Sequence, residues 1–209
     1  MKRILVICTF VAVCLTAFAQ EKAAPKKKAD AKPAAQAGGM PPMPKPGPEM
    51  KKLISTFAGD YTATMKMDAM MGMPASTSVG PAKFYAGPGR LSLMETVNSV
   101  DEHGMKFSGH GVTWWDPKSG AFKGIWCDNG TPTGCMDSGT SKWEGDKLVG
   151  TGTMEMMGKQ YNVRSTMSDF TPEGFNFLME TSEGSAPMQK MFTVEYKKAA
   201  AAPKPATGK

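Results

Sequence analysis

The sequence predicts an all-β protein, a single antiparallel up-and-down β-barrel of about ten strands that follows a short helix. Short β-prone runs recur along residues 60–197, turn residues separate them, and no convincing long helix is found there. Each run leads through a short turn to the next, so neighbouring strands should pair antiparallel. A meander of this length tends to close, because closure removes its exposed edges. A flat or sandwiched sheet is the competing architecture.

The predicted domain, residues 49–197, begins with a helix at 49–58 that places Leu53, Ile54 and Phe57 on one side. Alternation is clean in the first strand, where Tyr61, Met65 and Met67 share a face. A barrel of eight to ten strands is wide enough for one small ligand. The predicted strands are 60–67, 77–86, 90–100, 105–115, 121–128, 134–143, 147–156, 159–170, 174–182 and 189–197.

Residues 1–19 have the pattern of a secretory signal peptide. Lys2 and Arg3 precede the apolar run 4–15, and an A-x-A cleavage site ends at Ala19. The apolar run is too short for an ordinary membrane-spanning helix. We therefore expect a periplasmic or secreted protein that starts at Gln20 and has no transmembrane segment after cleavage.

Residues 20–48 and 198–209 are predicted to be disordered tails, because they are rich in alanine, lysine and proline. Residues 20–52 and 197–209 together carry 12 lysines and three acidic residues, whereas residues 53–196 carry 11 basic and 16 acidic residues. The positive charge therefore lies outside the folded part, which argues against nucleic-acid binding. The tails are expected to act as solvated linkers, or alternatively to attract an envelope partner.

Two cysteines, Cys127 and Cys135, remain after removal of the predicted signal peptide. An even pair in an exported protein indicates one disulfide, and the short loop between them suits a bridge across a hairpin end. The C-x7-C spacing does not match the C-x2-C of redox and metal pairs. We therefore predict a disulfide and no metal site at this position.

The order of motifs resembles the DUF1579 family, a domain of unknown function in exported bacterial proteins. The resemblance covers residues 49–197 and is carried by FAGDYTATMKM, by the Gly-rich strand that ends in Trp115-Asp116, by the Trp126-x-Asp128 step and by FTVEYKK. The chain departs from the family's usual Gly-x-Trp at Tyr61 and from its common Tyr-Asp at Trp115. The resemblance implies a calycin-like barrel, similar to lipocalins and nitrobindins, and no settled activity.

No catalytic motif is found in the sequence, so we expect neither an enzyme nor a cofactor. There is no G-x-S-x-G, and the carboxylates are scattered singly. Asp116 and Asp128 are expected to accept hydrogen bonds within turns. Haem is not expected either, because His110 is predicted on the outer face of its strand and no histidine follows it.

The preferred function is non-catalytic binding of a small hydrophobic ligand or lipid inside the barrel. The loop methionines Met70, Met71 and Met73 are expected near the mouth, as rim cover or as a lid. Plain core packing is the alternative for each aromatic. The side chains expected to line the cavity are Tyr61, Met65, Met67, Trp126, Trp143 and Phe177.

Methionine content supports a second hypothesis, an exported protein that binds Cu(I) or Ag(I) through thioether sulfur. Residues 65–73 contain five of the 19 methionines. However, methionine also fills irregular apolar space, and the others are spread over most strands, whereas a dedicated site would concentrate its ligands. Metal binding therefore ranks second. A structural protein that docks on an envelope component through its tails is the third hypothesis.

Overall fold

A computed structural model describes residues 43–69 and 74–200. The predicted signal peptide, most of the linker, residues 201–209 and the loop methionines Met70, Met71 and Met73 lie outside the described residues. The elements are α1 (Pro48–Phe57), β1 (Gly59–Met67), β2 (Ser76–Ala86), β3 (Ser92–Asp101), β4 (Lys106–Asp116), β5 (Ala121–Asp128), β6 (Cys135–Glu144), β7 (Lys147–Met156), β8 (Lys159–Thr171), β9 (Gly174–Glu183) and β10 (Gln189–Lys198).

The strands form one closed antiparallel barrel in which each strand pairs with its neighbours in sequence and β10 pairs with β1. The closing ladder runs from Tyr61 opposite Lys198 to Met67 opposite Phe192. The predicted fold class is therefore confirmed, and the sandwich alternative is excluded. Within the described residues, no helix has the length and apolarity needed to cross a membrane.

Helix α1 covers one end of the barrel, which we call the closed end. Its residues Met50, Leu53, Ile54 and Phe57 are spaced three or four apart, so they lie on one face, and all four are buried. The Tyr61 hydroxyl donates a hydrogen bond to the Phe57 carbonyl, 2.9 Å away, and so satisfies one carbonyl of the last helical turn. This bond fixes α1 to the strand that follows it.

Phe57 is the centre of the closed end. It is 0% exposed, and its ring contacts Phe84, Phe170 and Phe175, with centroids 5.0–5.9 Å apart. The contacts with Phe170 and Phe175 are edge-to-face, a geometry that aromatic rings favour. The helix therefore inserts an aromatic side chain into the barrel and fills that end.

The opposite end, which we call the open end, carries the connections β1–β2, β3–β4, β5–β6, β7–β8 and β9–β10. The ladder between β6 and β7 stops at Thr140 and Thr151. Gly139 lies next to the end of this ladder with φ of 75°, and a Cβ there would collide with the Thr151 carbonyl oxygen. Only glycine fits this close approach.

A disulfide joins Cys127 of β5 to Cys135 of β6, as predicted. The two cysteines are directly opposite each other in the ladder. Their position has a structural reason, because the first residues of β6 have lost their pairing with β7. The disulfide therefore holds the start of β6 to the neighbour that it keeps.

Candidate functional site

Exposure of the inward-facing side chains increases from the closed end to the open end. Near α1, Phe84, Phe122 and Phe175 are buried. At the open end the side chains of the same inward register remain partly exposed: Met65, Met67, Phe107, Met136, Met154, Met156, Val163, Phe177, Met179 and Phe192. We call this set of partly exposed, inward-facing side chains of the open half the apolar cup.

The wall of this cup includes a flat platform made by Trp126. Its ring lies over two glycines of β4, since a Cβ at Gly109 would lie 2.5 Å from Cζ2 of Trp126 and one at Gly111 would lie 3.1 Å from Cε3. The ring stacks on Phe107 with an interplanar angle of 14°, and its Nε1 donates to Asp128 at 2.6 Å. The glycines of the β4 run thus make space for an indole held in one orientation.

Asp128 fixes the β5–β6 loop as well as the indole. Besides the bond from Trp126, it accepts hydrogen bonds from the backbone amides of Gly130 and Thr131 and from the Thr131 hydroxyl. Asp116 plays a similar part at the β4–β5 turn, where the hydrogen bond from Lys123 is the main cause that lowers its pKa to about 2. The prediction that both carboxylates accept turn hydrogen bonds is confirmed.

One carboxyl group, that of Glu95, lies in the middle of the interior. Glu95 follows the inward register of Leu93 and Val97 on β3, and its Oε1 accepts a hydrogen bond from the Tyr196 hydroxyl at 3.0 Å. Tyr196 belongs to β10, and small residues of the two intervening strands, Ala63 and Ala82, leave room between the partners. The bond therefore crosses the inside of the barrel.

The surroundings of this pair change the acidity of both groups. Burial raises the pKa of the Glu95 carboxyl to about 7, and the hydrogen bond from Tyr196 acts weakly in the opposite direction. Burial is also the main cause that raises the pKa of Tyr196, with the Glu95 charge adding to it. Tyr196 is therefore a phenol at neutral pH, whereas Glu95 titrates close to neutrality.

The second oxygen of Glu95, Oε2, differs from Oε1 in its partners. No hydrogen bond from a described residue reaches Oε2. Glu95 as a whole is partly exposed. None of the ion pairs among the described residues includes Glu95.

The structure divides the six predicted cavity residues into two groups. Tyr61 and Trp143 lie in the aromatic cluster at the closed end, where the ring of Trp143 stacks on Phe57 and is covered by the Lys52 ammonium 3.9 Å from the ring centroid. The other four, Met65, Met67, Trp126 and Phe177, face the cup. Glu95 and Tyr196 were not predicted as site residues, although the alternation of Leu93, Glu95 and Val97 indicates that Glu95 faces inward.

The methionines gather at the open end, although they are spread along the sequence. Along the chain they occupy many strands, but the barrel brings six of them, Met65, Met67, Met136, Met154, Met156 and Met179, to the inward face of one half. Met105 and Met157 lie on turns of the same end and are 71% and 80% exposed. The spread over strands is therefore no argument against a common site.

Neither histidine lies in the interior of the barrel. Both are exposed, with His103 on the β3–β4 turn and His110 on the outer face of β4. The prediction that His110 faces outward is therefore confirmed.

Two depressions lie on the outer surface. One of about 410 Å³ lies over β6 and β7 and is lined by Asp137, Gly139, Thr151, Gly152 and Thr153. A second depression of about 460 Å³ lies outside the closed end, between α1 and the β2–β3 connection. Neither depression is lined by the inward-facing methionines of the open half.

No protein-family model matches the chain, and no curated protein matches it. The DUF1579 assignment therefore stays a prediction. Among solved structures, the crystal structure of Rv2717c from M. tuberculosis is similar with a TM-score of 0.52 at 13% identity, over 75% of this chain and all of that one.

Two further solved structures are similar at lower scores. One is a de novo designed fluorescence-activating β-barrel, with a TM-score of 0.39 at 9% identity over 70% of this chain and 96% of that one. The other is EF1p2_mFAP2b bound to DFHBI, with a TM-score of 0.40 at 10% identity over 72% of this chain and 99% of that one. At these identities, the likeness to known structures concerns the β-barrel fold alone.

Proposed function

We propose that this protein binds a small apolar molecule in the open half of its barrel, without catalysis. One observation carries the proposal. Inward-facing methionine and aromatic side chains of the open half are partly exposed, whereas aromatic side chains fill the closed end. Each Å² of such surface that a ligand covers contributes about 25 cal/mol to binding. Methionine suits this role, because its unbranched side chain adapts to ligands of different shape.

We also propose that the protein acts outside the cytoplasm. The signal-peptide pattern of residues 1–19 and the Cys127–Cys135 disulfide both support export. A non-catalytic role is supported by the position of the histidines, since neither His103 nor His110 lies in the interior where it could activate a nucleophile.

A fluorescence titration with N-phenyl-1-naphthylamine, a neutral apolar fluorophore, tests this function. Met154 and Thr153 are neighbours on β7, and Met154 faces the cup whereas Thr153 faces out. We expect Met154→Lys to weaken binding by about tenfold or more, because the ligand would then displace water from an ammonium group. Thr153→Lys, which adds the same charge on the outer face, should leave the affinity unchanged.

Thermal unfolding followed by circular dichroism establishes that both lysine variants are folded. Equal affinities of the two variants would place the fluorophore elsewhere on the surface. Absence of binding to the unmodified protein would contradict the proposed function itself.

Soft-metal binding is the second candidate function, and the gathering of methionines at the open end is the observation that favours it. A competition titration with Cu(I) separates the two candidates, because leucine keeps the apolar volume but removes the thioether ligand. If the cup serves an apolar ligand, Cu(I) affinity should not change in the variant with leucine at the six inward-facing methionines of the open end. A loss of more than about tenfold would favour the metal function. The positions changed are Met65, Met67, Met136, Met154, Met156 and Met179.

A further inference from the structure

The interior contains a carboxyl group without a cationic partner. Glu95 points into the barrel, its Oε1 accepts a hydrogen bond from the Tyr196 hydroxyl, and its Oε2 accepts none from a described residue. No lysine, arginine or histidine of the described residues pairs with it. A carboxylate removed from bulk water is stable only when charge or hydrogen bonds compensate it. One such compensation is still missing here.

Tyr196 holds the carboxyl in a defined position. The Tyr196 ring is stacked on Phe175 with centroids 4.6 Å apart and packs edge-to-face on Phe84 at 5.3 Å. The phenol therefore cannot follow Glu95 if the latter moves, and the hydrogen bond fixes Oε1 against the wall. Oε2 is left as the acceptor to which no described residue donates.

The indole of Trp126 lies next to the Glu95 side chain. Gly111 is opposite Glu95 in the β3–β4 ladder, and a Cβ at Gly111 would lie 3.1 Å from Cε3 of Trp126 and 3.7 Å from Cβ of Glu95. The indole and the Glu95 side chain are thus neighbours on the same wall. An indole face combined with a carboxylate is favourable for an organic cation, because the ring quadrupole and the carboxylate both attract positive charge.

We propose that the ligand of the cup is a lipophilic amine, whose protonated nitrogen binds at Glu95 Oε2 beside the face of Trp126 while its apolar part lies among the methionines of the open half. This inference rests on the proposed function and adds the chemical class of the ligand. A charge-assisted hydrogen bond and a desolvated cation–π contact together correspond to a preference of about 10- to 100-fold over an uncharged analogue.

Three probes with the same alkyl chain isolate the head group: dodecylamine, dodecanol and dodecanoate, each displacing bound N-phenyl-1-naphthylamine from the full-length protein without its signal peptide. We expect dodecylamine to displace the fluorophore at concentrations about 10- to 100-fold lower than dodecanol at pH 8. Dodecanoate should be the weakest, because its carboxylate would face that of Glu95.

Two isosteric variants connect this preference to Glu95. Glu95→Gln should abolish the preference for the amine while dodecanol binding persists. Glu155→Gln, which makes the same change on the outer face of the open end, should keep the full preference. Tyr196→Phe should weaken the amine preference by less than Glu95→Gln does, because it removes the bond that orients the carboxyl but leaves the charge.

The preference should also shrink as pH falls from 8 to 5, since Glu95 takes up a proton in that range. The residues that face Glu95 from the surrounding strands are Phe84 of β2, Gly111 of β4, Trp126 of β5 and Tyr196 of β10. Of these, Tyr196 alone is titratable, and burial raises its pKa. The pH effect should therefore be absent in Glu95→Gln.

The outcomes separate the inference from the function on which it rests. If dodecylamine and dodecanol bind equally to the unmodified protein, the amine proposal is overturned and the apolar cup stands. The same holds if Glu95→Gln keeps the preference. If none of the probes displaces the fluorophore, or the fluorophore itself does not bind, both proposals are overturned.

Discussion

Replacing Phe57 with alanine is expected to lower the free energy of unfolding by about 3–5 kcal/mol, the range for a phenylalanine removed from a packed core. Phe57 is fully buried, and it is the residue through which α1 enters the barrel. Deleting its ring leaves a cavity among Phe84, Phe170 and Phe175, whose strands are held by the barrel hydrogen bonds and cannot collapse onto it. Urea unfolding followed by tryptophan fluorescence measures the effect.

Phe192→Ala is the matched control, because Phe192 faces the open half and is already partly exposed. Its removal should cost about 1–2 kcal/mol, since less apolar surface returns to water and water can fill the space. Equal losses for the two variants would show that the closed end is not packed more tightly than the open end, and the description of the barrel as a filled end joined to a cup would be wrong.

The free energy of unfolding should decrease as pH rises from about 4.5 to about 7, because the Glu95 carboxyl loses its proton in this range. The folded-state pKa of Glu95 lies at about 7, above the ordinary value of 4.5, so the folded protein binds a proton that the unfolded chain releases. Its contribution to stability is therefore complete below pH 4.5 and lost as pH rises through 7, by about 3 kcal/mol over the whole interval.

The measurement is the difference in free energy of unfolding between the unmodified protein and Glu95→Gln across this pH range. Asp116 and Asp169 have lowered pKa values, so they titrate below the range and cancel in the difference. As pH rises, the free energy of unfolding of the unmodified protein should fall relative to that of Glu95→Gln. A difference independent of pH would mean that the Glu95 carboxyl is well solvated in the folded protein.

Strand positions were predictable from the sequence because local chemistry decides them. Turn residues mark the ends of every strand, and alternation marks the buried face, so the predicted strands and the observed ones differ by two residues at most, as in β3, predicted from 90 and found from Ser92. The end of the β6–β7 ladder at Thr140 and Thr151 was not predictable. Gly139 within DSGTS suits a turn, a bulge or a strand, and only the nearby Thr151 carbonyl shows which one applies.

The candidate site was predictable in part for the same reason. Met65 and Met67 face the interior because strand alternation places them there, and alternation is visible in sequence. Alternation does not tell which end of the barrel Trp143 occupies, because the difference between the ends depends on α1, which covers one end only. The Glu95–Tyr196 pair was missed because its partners are 101 residues apart, and no local pattern connects them.

The closure of the barrel by the last strand has a kinetic consequence. All other ladders join consecutive strands, whereas the second partner of β1 is β10, the last strand of the barrel. A growing chain therefore has two unpaired strand edges, one on β1 and one on the strand made most recently, until synthesis is nearly complete. The local hairpins can form early, but the final ladder carries the largest loop-closure entropy and should form last. During this interval β1 of one molecule can accept β10 of another, so exchange of the C-terminal strand is the expected route to a misassembled dimer.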